Sequence, residues 1–247
     1  MIRILFICHG NICRSPAAEL VFRDLIHRVG LSDEYEISSA ATTTEEIGNG
    51  VYPPMRRLLE ERGLDCSGIT ARQITRSDYD AYDLIIGMDE ENRLDARRIF
   101  HGDPDGKYHN LLEYVGRPEE SIADPWYTRD FSGSLAEIEE ACFAMMQQLT
   151  GTVFLDFSSC ADIPALYEEL RSKMDWEDWY GENLDALYDI LTGLPHKGRR
   201  FILTMPADDA PAEVRIVAQR IRRTFELAGV PVMDPVPRET EDSRIWE

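Results

Sequence analysis

Residues 8–16, Cys-His-Gly-Asn-Ile-Cys-Arg-Ser-Pro, combine side chains and a spacing that suit phosphate chemistry. A cysteine, five intervening residues and an arginine can wrap a ring of backbone around a tetrahedral oxyanion. The N–H groups of such a loop, and of a helix that begins after it, would donate to the anion. Arg14 could hold two of the anion's oxygens with its planar guanidinium. The same positive field favours the thiolate of Cys8, which would then act as a nucleophile.

The remaining loop residues would line or support this oxyanion site. Ser15 can donate a hydrogen bond to the Cys8 thiolate and so help it to leave in a second chemical step. The predicted substrate-binding residues of the loop are His9, Gly10, Asn11, Ile12, Cys13 and Ser15. The alternative is a buried structural Cys8 with a surface Arg14. The strand predicted before the loop and the helix predicted after it favour the oxyanion site.

The elements that must position this loop follow from the apolar pattern. Residues 4–7 are all apolar and predict a buried strand, whereas 17–22 begin an amphipathic helix with Pro16 in its first turn. In the first half of the chain, strands are predicted over 2–7, 36–39, 84–87 and 110–114. They alternate with helices predicted over 16–29, 54–62, 90–100 and 134–149. This alternation indicates an α/β fold with a parallel sheet covered on both faces. An anion site at the carboxyl end of the first strand suits such a sheet.

Residues 8–16 resemble the active-site loop of the low-molecular-weight protein tyrosine phosphatases. Asp124-Pro125-Trp126-Tyr127 resembles the general-acid loop of that family, and residues 80–89 resemble a further family stretch. The resemblance covers about residues 1–150 and implies a four-stranded, flavodoxin-like parallel sheet. It also implies catalysis by Cys8, Arg14 and Asp124, with Trp126 and Tyr127 contacting the substrate. The expected reaction is hydrolysis of phosphotyrosine in a protein through a phosphocysteine, without metal or organic cofactor.

Three other functions stay open at this stage. A protein-arginine phosphatase of the same family usually carries a small polar residue where Ile12 stands, so Ile12 favours phosphotyrosine. An arsenate reductase of this fold needs two further cysteines, and Cys66 and Cys142 lie far apart in the sequence. The chain could also be mainly a binding and inhibitor protein with a regulatory phosphatase half. Glu45 or a neighbour stands where the family often has an aromatic wall residue, which leaves the substrate preference open.

The second half of the chain predicts a separate domain. A boundary falls near Gly151, giving domains over 1–150 and 151–233 and an irregular polar tail over 234–247. Strands are predicted over 152–156, 200–205 and 230–233, and helices over 163–173, 183–192 and 212–228. No Gly/Ser- or Pro-rich linker separates the two domains.

Within this half, the acidic stretch 179–193 could bind a partner. Asp185 and Asp189 are four residues apart and share a helix face, where like charges are slightly destabilising. The stretch resembles barstar, the intracellular inhibitor of a guanyl-specific ribonuclease, and the resemblance covers roughly 152–233. It implies a small α/β domain with a three-stranded parallel sheet and a basic guanyl-specific ribonuclease as partner. The implied contact residues are Gly181, Asn183, Leu184, Asp185, Tyr188 and Asp189. The glutamate that the family uses on its last helix aligns with Thr224, and Glu226 lies two residues on.

Composition limits the other partners. The 247 residues carry a formal net charge of −20, which repels nucleic acid and anionic membranes and attracts basic proteins. No apolar run approaches the ~20 residues that span a bilayer, and the first residues do not form a signal peptide. Five cysteines without paired spacing fit a reducing compartment. The expected location is therefore the cytoplasm, and no zinc site is expected.

Overall fold

The structure, a computed structural model, describes residues 1–174, 183–193 and 199–235. The chain divides into two compact units, of which the first covers Met1–Met146 and the second begins at Gln147. Among the described helices, none combines the length and apolar character needed to cross a membrane.

A four-stranded parallel sheet forms the centre of the first unit. Its strands are β1 (Ile2–Cys8), β2 (Tyr35–Ala41), β3 (Leu84–Gly87) and β4 (Tyr108–Asn110), in the order β2-β1-β3-β4. In the register, Cys8 lies opposite Ala41 and Ile4 lies opposite Leu84. Ile4, Leu5, Phe6 and Ile7 of β1 are completely buried, as expected for an inner strand covered on both faces. The predicted parallel α/β fold is confirmed.

Six helices accompany this sheet: α1 (Arg14–Arg28), α2 (Pro53–Glu61), α3 (Arg76–Ala81), α4 (Glu90–Phe100), α5 (Pro125–Thr128) and α6 (Phe131–Thr150). Their boundaries follow local capping. The Asp89 side chain accepts from the Asn92 N–H at the start of α4, and His101 ends that helix with a left-handed φ of 64°. Thr75 and Asp78 form a capping box at the start of α3.

The strand predicted over 110–114 is wrong. β4 ends at Asn110, and Leu111–Val115 forms a 3₁₀ helix. The Asn110 side chain accepts from the Leu112 N–H, while the Glu113 carboxylate accepts from the Asn110 N–H at 2.8 Å. This capping closes a turn, and Gly116 ends it with a φ of 74°. Leu111 and Leu112 are fully buried in the turn, which explains why their apolar pattern resembled a strand.

The second unit contains a three-stranded parallel sheet, as predicted. Its strands are β5 (Thr152–Asp156), β6 (Arg200–Thr204) and β7 (Val232–Met233), in the order β5-β6-β7. The described helices are α7 (Ile163–Lys173), α8 (Leu184–Gly193) and α9 (Ala212–Leu227). They pack on a core of buried apolar residues in which the rings of Phe201 and Phe225 lie 4.9 Å apart.

Candidate active site

The loop between β1 and α1 turns sharply because Asn11 adopts a left-handed φ of 55°, a conformation that asparagine tolerates. Backbone N–H groups of neighbouring segments donate hydrogen bonds to the carbonyl groups of this loop. The N–H of Thr42 donates to the Cys8 carbonyl at 2.8 Å, and the N–H of Tyr52 donates to the Ile12 carbonyl at 2.8 Å. With these carbonyl groups engaged outside the loop, its N–H groups can face inward, as that of Asn11 does toward Cys8.

Cys8 lies at the base of this loop and is 3% exposed. The Ser15 hydroxyl donates to its Sγ at 3.1 Å, and the Asn11 N–H donates to the same sulfur at 3.3 Å. The sulfur thus accepts two hydrogen bonds from the loop and the start of α1. The structure thus brings Ser15 to the sulfur, as expected from the loop sequence.

Asn11 also connects the loop to β2. Its Nδ2 donates to Ser15 Oγ at 3.0 Å and to Ser39 Oγ at 2.8 Å, while its Oδ1 accepts from the Arg72 N–H at 3.3 Å. Asn11 and Ser15 are fully buried. Both were predicted to bind substrate, but they lie behind Cys8 and support the loop.

Arg14 is almost completely buried between two carboxylates. Its Nη1 donates to Asp89 Oδ2 and its Nη2 donates to Asp124 Oδ2, each at 2.5 Å, and Nη1 also reaches the Ile122 carbonyl at 3.2 Å. Burial alone would lower the pKa of Arg14, but Cys8, Asp124 and Asp89 raise that pKa overall. The guanidinium therefore stays charged and is held in a fixed orientation.

Asp89 is a further residue of the site and was not predicted from the sequence. Asp89 lies two residues after the end of β3 and begins α4. It is therefore at the edge of the sheet where β1 ends in Cys8. A carboxylate at the carboxyl end of a strand beside the first strand was the signal that could have identified it.

Asp124 begins α5, where its Oδ1 accepts from the Trp126 N–H at 2.9 Å. Asp124 pairs with Arg14 across 110 residues of sequence. The predicted nucleophile Cys8, Arg14 and the predicted acid Asp124 therefore line one pocket. The Tyr52 ring meets the Trp126 ring edge-on at 5.5 Å between centroids, and the Arg129 guanidinium carbon lies 5.3 Å from the Trp126 ring centre. Tyr52 and Arg129 were not predicted.

The pocket in front of Cys8 has a volume of about 130 Å³. It is lined by Cys8, His9, Gly10, Ile12, Cys13, Arg14, Glu45, Glu46, Asp124, Trp126 and Tyr127. Tyr127 is 81% exposed at its rim. The carboxylate of Glu45 lies 3.2 Å from the His9 ring, and with Glu46 it makes this side of the pocket acidic.

The other four cysteines lie in surroundings that favour the neutral thiol. All five are free and buried, and burial raises the pKa of the Cys13 thiol, as do the neighbouring Cys8 and Asp124. Burial likewise raises the pKa of Cys66 and Cys142, and that of Cys160 to about 11. Within residues 1–174, 183–193 and 199–235, no group of histidine, cysteine and acidic side chains is arranged to hold a metal ion.

In the second unit, α8 carries the candidate partner-binding residues. Asn183 begins the helix, with its Oδ1 accepting from the Ala186 N–H at 2.9 Å, and Leu184 packs partly against the core. The side chains of Asp185 and Asp189 are exposed, as is that of Tyr188 at 42%. Gly181 lies outside the described residues.

The position aligned with the family's last-helix glutamate holds a buried residue. Thr224 is nearly inaccessible, and its hydroxyl donates to the Arg220 carbonyl at 2.9 Å. Glu226 is exposed and paired with Arg223 at 2.9 Å. Thr224 is therefore not exposed to a partner, and the nearby exposed carboxylate of Glu226 is already paired with Arg223 and Arg222.

The fold and the pocket together fit the class of α/β phosphatases. The family model "Low molecular weight phosphotyrosine protein phosphatase" matches residues 3–153, and the model "Barstar (barnase inhibitor)" matches residues 150–228. The chain belongs to the low molecular weight phosphotyrosine protein phosphatase family, a family of hydrolases, and carries a barstar-like domain after the phosphatase domain in the sequence.

Three relatives illustrate the similarity. The low molecular weight protein-tyrosine-phosphatase YfkJ of Bacillus subtilis is 35% identical over 150 residues, which is 60% of this chain and 96% of that protein. Its crystal structure matches with a TM-score of 0.59 at 34% identity, over 61% of this chain and 96% of that one. The rat low molecular weight phosphotyrosine protein phosphatase is 42% identical over 129 residues, 51% of this chain and 81% of that protein. The drosophila arginine phosphatase DARP matches with a TM-score of 0.56 and 28% identity, over 60% of this chain and 98% of that one.

Proposed function

We propose that the first unit hydrolyses phosphotyrosine in proteins through a phosphocysteine on Cys8. The observation that carries this proposal is the Cys8 sulfur, with Ser15 Oγ at 3.1 Å, in the same pocket as Arg14 and Asp124. Ile12, Trp126 and Tyr127 line that pocket and suit a flat aromatic leaving group.

The first step transfers the phosphoryl group to sulfur. A phosphoryl group bound at Arg14 accepts from Nη2 in place of Asp124, and Asp124, released from this ion pair, takes up a proton from solvent. The Cys8 thiolate attacks phosphorus, the bond from phosphorus to the phenolic oxygen breaks, and Asp124 gives its proton to the departing phenolate. The loop N–H groups and Arg14 stabilise the charge that develops on the phosphoryl oxygens.

The second step releases phosphate. Asp124, now ionised, accepts a proton from a water molecule that attacks phosphorus, and the phosphorus–sulfur bond breaks. The sulfur leaves as a thiolate that accepts the hydrogen bond from Ser15.

Replacement of the nucleophile tests this mechanism. Cys8→Ser should abolish turnover of p-nitrophenyl phosphate and of a phosphotyrosyl peptide, while phosphate still binds, because backbone groups and Arg14 form most of the anion site. Cys160→Ser, which changes a cysteine of the second unit, is the matched control and should keep full activity. Activity that persists in purified Cys8→Ser protein would rule out the mechanism.

A protein-arginine phosphatase is the second candidate. The structural similarity to DARP and the carboxylates of Glu45 and Glu46 at the pocket favour it, because carboxylates pair well with a guanidinium. The apolar Ile12 favours phosphotyrosine. A comparison of kcat/KM for matched phosphotyrosyl and phosphoarginyl peptides decides between them, and we expect the phosphotyrosyl peptide to be the better substrate.

For the second unit, we propose that the exposed face of α8 binds a basic protein with the properties of a guanyl-specific ribonuclease. The barstar match and the exposed Asp185, Tyr188 and Asp189 support this proposal. The free cysteines support the cytoplasmic location that the sequence favours. If the chain is mainly a binding protein, it should bind such a ribonuclease tightly while turning over phosphotyrosyl peptides slowly.

A further inference from the structure

Tyr52 contacts two segments of the active site, one through its backbone and one through its ring. Its N–H donates to the Ile12 carbonyl at 2.8 Å, which ties its backbone to the loop between β1 and α1. Its ring meets the Trp126 ring at 5.5 Å between centroids, with an angle of 67° between the planes. The Trp126 N–H in turn donates to Asp124 Oδ1 at 2.9 Å. Tyr52 therefore joins the loop that carries Cys8 to the segment that carries the proposed acid.

Two further side chains hold these rings. Phe131, the first residue of α6, stacks on Tyr52 at 5.7 Å between centroids, with the planes 27° apart. The guanidinium carbon of Arg129 lies 5.3 Å from the centre of the Trp126 ring, within the range of a cation–π contact. Arg129 ends α5 with a left-handed φ of 63°, so the chain turns sharply between Trp126 and Phe131, whose rings both meet Tyr52.

The position of Asp124 depends on such contacts because α5 is short. The helix has four residues, Pro125–Thr128, which is about one turn, and a single turn is unfavourable without support from outside. Trp126 is 44% exposed, so burial in a core does not fix its ring. Tyr52 is half-buried and brings its ring to Trp126 from the start of α2. The aromatic contacts therefore supply support that α5 lacks.

The ion pair with Arg14 does not provide this support while substrate is bound. In the empty site Arg14 Nη2 donates to Asp124 Oδ2, but a phosphoryl group accepts from the same nitrogen in the proposed mechanism. The Trp126 N–H still donates to Oδ1 at that stage. Because Oδ1 accepts this hydrogen bond, Oδ2 is the oxygen that carries the proton for the leaving group.

We infer that Tyr52 is a positioning residue for the general acid: its ring fixes Trp126, so that Asp124 keeps its place when a phosphoryl group takes the arginine. The inference rests on the proposed function in taking Asp124 as the acid. It adds a residue that touches neither the phosphoryl group nor the leaving group and acts through the Trp126 ring and N–H.

Tyr52→Ala tests this inference because it removes the ring and keeps the N–H that donates to Ile12. The oxyanion site should stay intact, so competitive inhibition by inorganic phosphate should be unchanged. We expect kcat/KM for phenyl phosphate to fall about 10- to 100-fold, within the loss that a misplaced acid causes. The fall should be much smaller for p-nitrophenyl phosphate, because its leaving group needs less protonation. Steady-state kinetics of the full-length protein measures all three values.

Two comparisons show whether the effect passes through the acid. Asp124→Ala leaves no acid to position, so adding Tyr52→Ala to it should cause little further loss with phenyl phosphate. Tyr52→Phe keeps the ring and should restore most of the rate that Tyr52→Ala loses.

Tyr35→Ala is the matched control for the loss of an aromatic contact. The Tyr35 ring meets the Phe22 ring edge-on at 6.5 Å, and Tyr35 lies at the start of β2, whereas Cys8 lies opposite the end of that strand. This variant should keep the wild-type dependence on the leaving group, even where it lowers stability.

Equal losses for the two aryl phosphates in Tyr52→Ala would overturn the inference, as would a full further loss on top of Asp124→Ala. If Tyr52→Ala fails to fold, Tyr52→Leu, which keeps apolar bulk without a ring, is judged by the same two criteria. Failure of the proposed function looks different: Asp124→Ala itself would then show no dependence on the leaving group, and that result would overturn both.

Discussion

At the scale of single residues, Arg14 and Asp124 are already paired in the site, and Asp124 is positioned by the start of α5. We expect Asp124→Ala to slow hydrolysis of phenyl phosphate by ~10²–10⁴-fold, the usual contribution of a general acid. The loss should be smaller for p-nitrophenyl phosphate, because its leaving group needs less protonation. Steady-state kinetics with a series of aryl phosphates measures this, with Asp33→Ala as an exposed control.

If Asp124→Ala lowered the hydrolysis rate equally for all aryl phosphates of that series, Asp124 would not be the general acid. The control should match the wild-type protein with every substrate, because Asp33 lies on an exposed turn away from the pocket.

Cys13 gives a second prediction at this scale. It lines the same pocket as Cys8, and burial raises the pKa of its thiol, so peroxide should oxidise the Cys8 thiolate first. The resulting sulfenic acid should condense with the Cys13 thiol, forming a disulfide and releasing water. Peroxide inactivation should then be reversed by dithiothreitol in the wild-type protein and be largely irreversible in Cys13→Ser.

Recovery of activity after oxidation measures this prediction, with Cys66→Ser as a control that changes a buried cysteine outside the pocket. Full recovery of oxidised Cys13→Ser would show that Cys13 has only a packing role.

At the scale of elements, the contact between β3 and β4 supports the site. A Cβ atom on Gly87 would lie 1.8 Å from the Tyr108 hydroxyl oxygen, and that hydroxyl donates to the Asp89 carbonyl at 3.3 Å. Gly87→Ala should therefore displace Tyr108 and disturb the start of α4, where Asp89 holds Arg14. We expect a loss of about 1–3 kcal/mol in the free energy of unfolding, typical of overpacking, together with reduced kcat.

Loss of phosphatase activity with increasing urea gives the unfolding midpoint of this unit. Gly68→Ala is the matched control, because no atom lies within 4 Å of its Cβ position. Equal midpoints for the two variants would contradict the argument.

The elements nearest the loop were predictable because their signals are local. The apolar run of β1 and Pro16 mark the strand and helix on either side of Cys8, and both are present. The prediction of a strand over 110–114 was wrong because the side chains of Asn110 and Glu113 cap a 3₁₀ turn. This capping outweighs the strand signal of the apolar residues Leu111 and Leu112. Helices α3 and α5 are too short to show a helical period.

The partners of the site residues were harder to predict, because they are long-range contacts. Asp89 reaches Arg14 from 75 residues away, and Ser39 reaches Asn11 across 28 residues. Neither contact leaves a spacing signal in a single sequence. The general-acid position was accessible only through resemblance to a known family.

At the scale of the whole molecule, the net charge of −20 favours basic partners. A guanyl-specific ribonuclease has a basic active site because it binds RNA phosphates, so the acidic face of α8 could occupy that site. We expect Asp189→Ala to weaken binding by about tenfold or more, and association to slow steeply as salt rises. Calorimetry and stopped-flow measurements with the full chain and such a ribonuclease test both points.

Glu213→Ala, a change of an exposed acid on α9, is the control and should have little effect. The absence of both heat and inhibition at micromolar concentration would count against ribonuclease binding. It would favour a domain that binds a different basic protein.

The Arg14–Asp124 contact spans 110 residues, and this separation sets the order of events during synthesis. A ribosome adds about 5–20 residues per second, so the loop is made roughly 5–20 s before the acid. On the proposed mechanism, the nascent chain during that interval has its nucleophile and its arginine but not its general acid. Full activity would then begin only after translation has passed Asp124, late in the production of the first unit. A growing chain would act on phosphoproteins near the ribosome at most slowly before its catalytic unit is nearly complete.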